Sequence, residues 1–500
     1  MARIGAKDLI ERVADPGSWV SWDGPPLPPR GVDGPADGPY LADLEAARAK
    51  TGLDESILTG EARIGGRRVA IVLGDFGFLA GSIGVAAAER LVRAIERATA
   101  ERLPLIAGPT SGGTRMQEGT VAFMQMVKIS AAIAAHRAAK LPYLVYLRDP
   151  TTGGVLASWG SLGHLTAAEP GALIGFLGPR VYEALYQDSF PEGVQTAENL
   201  MRRGLVDAVV NPELLRRIAI TALKVLAAPR TGLPAAPNPP QEPIPDVPAW
   251  ESILASRRPD RPGLRALLRG AATDVTPLQG TAVGERDSAV LLALARFGAA
   301  PAVVVGHDRR ATQGPIGPAG LREARRAIRL AGALGLPLVT VIDTSGAALS
   351  QAAEEGGLAG EIARCLSELS MLAAPTVCLL LGQGAGGGAL ALLPAARVIC
   401  AQHGWLSPLP PEGASAIVYR TTDRAAEMAA SQGVRSADLL RNGIVDRVVA
   451  EHPDAADEPE AFIARAGAVL EYELTSLLAQ APEALLARRL ARYRALGLPA

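Results

Sequence analysis

The groups in this sequence best placed for chemistry are backbone amides. Four glycine turns, Ser111-Gly-Gly-Thr-Arg115, Thr152-Gly-Gly-Val155, Thr344-Ser-Gly-Ala347 and Gly384-Ala-Gly-Gly-Gly388, each end an apolar run and open what reads as a helix. Glycine lets a backbone approach a ligand without a side chain between them, and a helix N-terminus leaves N–H groups unpaired. Two such turns facing each other make an oxyanion hole, in which each donor to a developing enolate oxygen contributes about 2.7–4 kcal/mol. The candidate donors are Gly112, Gly113, Gly153 and Gly154 in one pair of turns, and Gly346, Ala347, Gly386 and Gly387 in the other. Gly112 and Gly153 stand 41 positions apart, as do Gly346 and Gly387. A single turn of this kind is equally well read as a tight strand-to-helix connection, but recurrence at fixed spacing favours a site. Two holes in one chain stabilise one oxygen on each of two partners, which a transfer between two carbonyl compounds requires.

Side-chain machinery is scarce by comparison. The sequence has no G-x-x-x-x-G-K-[ST] phosphate loop, no H-E-x-x-H zinc helix and no G-x-S-x-G nucleophile elbow. His136, His164, His307, His403 and His452 lack metal-ligand spacing, and His164 and His403 fall near matching places in the two halves. Gly382 to Gly387 satisfies G-x-G-x-x-G, yet no acidic residue follows before Pro411 to hold a ribose, so a dinucleotide site is not expected. Lys plus Arg is 50 against 51 for Asp plus Glu, a net charge of -1, which provides no overall field for nucleic acid or an anionic membrane. The stretch Leu369 to Ala396 carries no charge, but its glycine cluster and Pro394 fit a buried strand, turn and helix better than a membrane span. Three widely spaced cysteines, Cys365, Cys378 and Cys400, and an N-terminus without a signal-like apolar core point to the cytoplasm.

The elements that position these turns are duplicated. Arg63 to Asp75 reads against Arg296 to Asp308 at an offset of 233, and the same offset relates Ile83-Gly84 to Ile316-Gly317, Leu103-Pro104 to Leu336-Pro337, Pro142 to Pro375 and Gly153-Gly154 to Gly386-Gly387. Each copy alternates apolar β-branched runs with helical periodicity, which predicts an α/β fold. In the first copy the pattern predicts strands over Val69 to Leu73, Leu103 to Ala107 and Tyr143 to Leu147, and helices over Gly84 to Ala100 and Val121 to Ala139. Pro229 to Pro262 is proline-rich and reads as an extended spacer. The expected division is a domain at 1–228, a linker at 229–249 and a second domain at 250–500.

Ser111 to Glu118, Met124-Gln-Met-Val-Lys128, Asp149-Pro-Thr-Thr-Gly-Gly154 and Ala168 to Arg180 resemble the β subunit of bacterial acetyl-CoA carboxylase carboxyltransferase. Arg257-Arg-Pro-Asp-Arg-Pro262, Asp343-Thr-Ser-Gly-Ala347, Ala363-Arg364, Gly382 to Leu390 and Pro411-Glu-Gly-Ala-Ser415 resemble the α subunit. The β-then-α order is similar to that of fused actinobacterial acyl-CoA carboxylase β chains. This resemblance implies two crotonase-like domains in tandem and carboxyl transfer from carboxybiotin to acetyl-CoA or another short acyl-CoA. It implies that the first half holds acyl-CoA on the amides near Gly112, Gly113, Gly153 and Gly154, and that the second half holds biotin on those near Gly346, Ala347, Gly386 and Gly387. Arg115 then binds the transferred carboxylate or a CoA phosphate, or else forms a salt bridge. The ureido nitrogen of biotin would act as the base, so no protein base is required.

The resemblance also implies a head-to-tail homo-oligomer, and the missing Met-Lys-Met biotinyl motif places biotin on a separate carrier subunit. The four-cysteine zinc ribbon found in many β subunits is absent, so no metal is expected. Ser345 stands where the α-subunit motif has proline, and Ala348 to Ala353 lacks the usual Tyr-Pro-Gly. A malonyl-type decarboxylase on the same fold and a non-catalytic scaffold subunit are the competing readings.

Overall fold

The offset of 233 is written into the strands themselves. The computed structural model describes residues 3–28, 38–311 and 314–498, and the chain divides into two units, Met1–Leu223 and Lys224–Ala500. In the first unit the strands are β1 (Val20–Ser21), β2 (Ile57–Ile64), β3 (Arg67–Gly74), β4 (Leu105–Gly108), β5 (Tyr143–Leu147), β6 (Thr151–Thr152), β7 (Leu165–Ala168), β8 (Ile174–Gly175) and β9 (Ala208–Val209). In the second they are β10 (Thr273–Leu278), β11 (Val290–Phe297), β12 (Ala300–His307), β13 (Leu338–Thr344), β14 (Thr376–Ala385), β15 (Arg397–Ala401), β16 (Trp405–Ser407) and β17 (Arg447–Val449). The hairpin β2–β3 and the hairpin β11–β12 coincide end to end at that offset.

Sheet order repeats as well. The first sheet runs β1-β2-β3-β4-β5-β7-β9 and the second β10-β11-β12-β13-β14-β15-β17, with β16 added beside β14. In both, an antiparallel hairpin leads into parallel strands. Parallel pairing needs crossover connections, supplied here by the helices Val85–Ala100 and Pro318–Leu334. Their apolar residues recur at helical spacing, so Ala87, Leu91, Ile95 and Ala98 are fully or almost fully buried against the first sheet, as are Leu321, Ala324, Ile328 and Ala331 in the second unit.

β14 is a central strand, buried along almost all its length, so the uncharged stretch from Leu369 is sheet core and not a span. No helix among the described residues is long and apolar enough to cross a membrane. Gly382 and Gly384 lie inside β14, where a methyl group on Gly382 would sit 2.6 Å from Asp343 Oδ1. They serve strand packing, and the G-x-G-x-x-G match is a coincidence of composition.

The proline-rich stretch departs from expectation in one respect. It has no regular element up to Pro248, but a helix covers Ala249–Arg257, because no proline falls between those residues. The extended part is also held down, since Arg435 donates to Asp246 Oδ1 and Val247 O, and Arg447 to Asn238 Oδ1.

Candidate active site

In the first unit the two glycine turns are laced together. Ser111 N–H donates to Pro150 O at 2.7 Å and Thr152 N–H to Ser111 O at 3.0 Å. A Cβ on Gly153, whose φ is +61°, would stand 3.3 Å from Gly113 Cα, so glycine alone permits this approach. The helix Gly153–Val155 starts here and continues through the distorted turn Leu156–Gly160.

Closing the turns consumes most of the expected donors. Gly112 N–H donates to Ala80 O at 2.9 Å, Gly153 N–H to Phe176 O at 2.9 Å, and Gly113 N–H to Ser111 Oγ at 2.9 Å. These three amides are therefore structural, a correction to the donor set read from the sequence. Within the two turns, the amides left without an acceptor are that of Thr114 and those of Gly154 and Val155 in the first turn of the helix. Thr114 bridges Ile83 through its neighbours, so its own N–H faces away from that strand, while Gly154 is the second residue of its helix. The two are adjacent, for a Cβ on Gly154 would lie 3.4 Å from Thr114 Oγ1.

The second unit repeats part of this arrangement. Gly346 N–H donates to Thr344 Oγ1 at 3.1 Å, as Gly113 does to Ser111, and is likewise committed. Ala347 bridges Ile316 as Thr114 bridges Ile83, and Ala348 N–H takes the Ile316 carbonyl at 2.9 Å. Gly386 (φ +62°) opens the helix Gly386–Leu390, so Gly387 is its second residue. Ala347 and Gly387 thus stand at the places of Thr114 and Gly154, again without acceptors. A Cβ on Gly388 would approach Ala347 N to 3.3 Å, and nothing lies within 4 Å of one on Gly346, so the turn is open on that side. Such an open pair of donors can receive a carbonyl oxygen.

Thr114 was missed in the sequence because its residue type is unremarkable for an amide donor. The signal available was its alignment with Ala347 at the common offset.

Arg115 does not face this opening. It is 1% exposed and forms a bidentate pair with Glu55 (2.5 and 2.9 Å), and it also donates to Ser82 O at 2.8 Å, Ser82 Oγ at 3.2 Å and Tyr40 Oη at 3.4 Å. Burial opposes its charge, but Glu55 holds its pKa above the ordinary arginine value. Every nitrogen of the guanidinium is engaged, so the expectation that it binds a carboxylate or a CoA phosphate is corrected to the salt-bridge reading. Its task is to position the turn: Glu118, three residues on, accepts from Val85 N–H at 2.6 Å and from Tyr40 Oη at 2.5 Å.

No imidazole is poised as a base beside the turns. His164 Nδ1 accepts from Tyr143 N–H at 3.0 Å, and burial pushes its pKa down to about 3. His403 is held between Ser252 Oγ at 3.1 Å and Pro453 O at 3.0 Å. His307, behind the second turn, is pushed to about 4 by burial against the partial pull of Val341 and Gly388 backbone. The motif segments of the second half do meet, Arg257 pairing with Glu412 at 2.5 and 3.0 Å. Among the described residues no cluster of three or more His, Cys, Asp or Glu side chains is arranged to hold a metal ion.

A pair of matched amide holes without a protein base suits carboxyl transfer, and the carboxyl transferase domain family matches residues 38–485. The chain belongs to this family. It is 62% identical, over the full length of both chains, to the probable biotin-dependent acyl-coenzyme A carboxylase beta3 subunit of Mycobacterium tuberculosis. It is 38% identical to the acetyl-coenzyme A carboxylase carboxyl transferase subunits beta/alpha of Salinispora tropica, covering 99% of this chain and 91% of that one. Among solved structures, a transcarboxylase 12S core with hydrolyzed methylmalonyl-coenzyme A bound superposes with a TM-score of 0.73 at 20% identity, covering 93% of this chain and 89% of the other. That likeness is one of fold, and it bears out the tandem of crotonase-like units. As a member of the family, the chain is the carboxyltransferase component of a biotin-dependent acyl-CoA carboxylase, with biotin as cofactor.

Proposed function

We propose that the first unit receives the acyl-CoA, with the thioester oxygen on the Thr114 and Gly154 amides. The second unit receives the ureido oxygen of carboxybiotin on the Ala347 and Gly387 amides. The carboxyl passes to acetyl-CoA or another short acyl-CoA, giving malonyl-CoA or an analogue. The observation that carries this reading is the recurrence of the same two acceptor-free amides at the same offset in both units. Carboxybiotin supplies the carboxyl group and, once decarboxylated, the base for the acyl α-proton. The protein's own part is to hold two oxygens where negative charge develops, by donors fixed before the reaction starts. Exposed Met116 and Phe176 flank the first pair of turns and suit a short acyl chain.

The altered segment after Ser345 supports an active second unit and not a scaffold. Thr344 Oγ1 still ties the turn, and Ser350 caps the helix Gln351–Glu355 by accepting from Ala353 N–H at 3.2 Å. A head-to-tail homo-oligomer fits the uncovered apolar side chains beside the turns of each unit: Val121, Phe123, Met124 and Val127 in the first, and Leu349, Ile417 and Val418 in the second. The partners are a biotinylated carboxylase and carrier subunit, and three buried free thiols, Cys365, Cys378 and Cys400, suit the cytoplasm.

The test is reconstitution of the purified chain with a biotinylated carboxylase subunit, ATP and bicarbonate, assayed with acetyl-, propionyl- and butyryl-CoA. Carboxylated product from at least one of them is the expected result. Complex formation without turnover would support the scaffold, and biotin-independent loss of CO2 from malonyl-CoA would support the decarboxylase.

A further inference from the structure

At the end of β14 away from the glycine turns, the second unit holds a cavity of about 270 Å³ lined by Arg397, Asp446, Arg488, Arg489 and Arg492, with Leu485 on its apolar side. The helix Pro482–Ala495 contributes three of these arginines. Three arginines among the described residues are less than 2% exposed, and two of them have a carboxylate at hydrogen-bond distance: Arg115 has Glu55 and Arg261 has Glu451. Arg489 is the third and has none. Its Nη1 donates to Thr376 Oγ1 at 2.8 Å, its Nη2 donates to Leu372 O, and its Nε is buried without an acceptor. A guanidinium withdrawn from water with only neutral acceptors is destabilising until an anion joins it.

The charge balance says what kind of anion. Arg397 stands 3.3 Å from Glu473 and Arg492 2.7 Å from Asp446, so these two are neutralised locally. Arg488, which is exposed, donates to the neutral Gln480 Oε1, and with Arg489 it leaves two guanidinium charges unmatched. A phosphate monoester carries about −1.5 to −2 at neutral pH and presents three acceptor oxygens, whereas chloride or a single carboxylate answers only one charge. Leu477 and Leu485 give the wall against which the organic part of such a ligand would rest.

We propose that this cavity binds the phosphate group of a small phosphomonoester. Thr376 begins β14 and Gly386 follows its last residue, so at about 3.3 Å per residue the cavity lies roughly 30 Å from the second glycine turn. It is a separate site and does not depend on which reactant each unit holds.

The experiment is calorimetric titration of the purified full chain with inorganic phosphate, with acetate and chloride as further arms at constant ionic strength, on wild type, Arg489→Met and Arg488→Ala. Wild type is expected to bind one phosphate per chain saturably, with acetate at least tenfold weaker and chloride not saturating. Arg489→Met is expected to weaken phosphate at least tenfold and Arg488→Ala at least threefold, with carboxyl transfer unchanged in both. The proposal is overturned if phosphate does not saturate, if acetate binds as tightly, or if both variants bind as wild type does, meaning an adventitious ion only. If Arg489→Met does not fold, Arg488→Ala alters only an exposed side chain and decides alone.

Discussion

Glu323 Oε1 accepts the backbone N–H of Asp287 at 2.5 Å, and the pair occupies the positions that Arg90 and Asp54 hold in the first unit. There the arginine grips the aspartate at 2.8 Å through both nitrogens. The second unit has replaced a salt bridge with two carboxyls, one of them buried. Burial, and then the charge of Asp287, push the Glu323 carboxyl up to about 7. Its folded pKa thus exceeds its unfolded one, so the proton stabilises the fold below pH about 4.5 and that contribution is lost as pH rises through 7. The shift corresponds to something on the order of 3 kcal/mol. Glu323→Gln, which keeps the acceptor and removes the charge, is expected to melt at the same temperature as wild type at pH 5 and several degrees higher at pH 8. Equal melting temperatures at pH 8 would show that the fold does not raise the pKa of Glu323.

Arg115 and Glu55 form an ion pair in which both partners are at most 3% exposed. Removing one partner of such a pair strands the other charge and typically costs 3–5 kcal/mol, whereas removing both is often close to neutral. Arg115→Met is therefore expected to destabilise the first unit by about that amount, and Arg115→Met with Glu55→Met to recover most of it. Denaturant unfolding of wild type, Arg115→Met, Glu55→Met and the double variant checks this. If the arginine instead contacted substrate, the single variant would keep its stability and raise KM.

The duplication was legible in full, because an offset of 233 kept over the hairpins β2–β3 and β11–β12 needs only strand residues to align. The crossover helix predicted over Gly84 to Ala100 differs from the observed one by a single residue. The donor set was legible only by neighbourhood. Whether Gly153 N–H is free depends on Phe176 O, and whether Gly112 N–H is free depends on Ala80 O, contacts that bring together segments 23 and 32 positions apart. Arg115 shows the same limit, since its motif records nothing about Glu55, which reaches it across 60 positions.

Gly153 offers the most direct test of the first hole. Alanine there is strained at φ +61° and places its Cβ 3.3 Å from Gly113 Cα, wedging apart the turns that hold Thr114 and Gly154. Losing one well-aimed donor costs about 10²–10³ in kcat. Gly153→Ala is expected to lower kcat for acyl-CoA carboxylation by about 10²-fold. Gly386→Ala shares the backbone strain but meets only Pro408 O at 3.4 Å, so its loss should be smaller. Steady-state kinetics with saturating carrier subunit separates the two, and equal losses would place the damage in backbone strain alone.

The helix Gly119–Ala138 leaves Phe123 60% and Val127 62% exposed on the face beside the first glycine turn. Apolar side chains in that number and at helical spacing are costly in water and are buried by association. If the site is completed by the second unit of another copy, charge on this face should abolish assembly and turnover together. Phe123→Glu with Val127→Glu is expected to yield a folded monomer by light scattering, with carboxyl transfer lost. Because Ala122, Met126, Ile129 and Ile133 carry the packing of this helix, far-ultraviolet circular dichroism should not change. A variant that stays oligomeric and active would move the interface to another face of the chain.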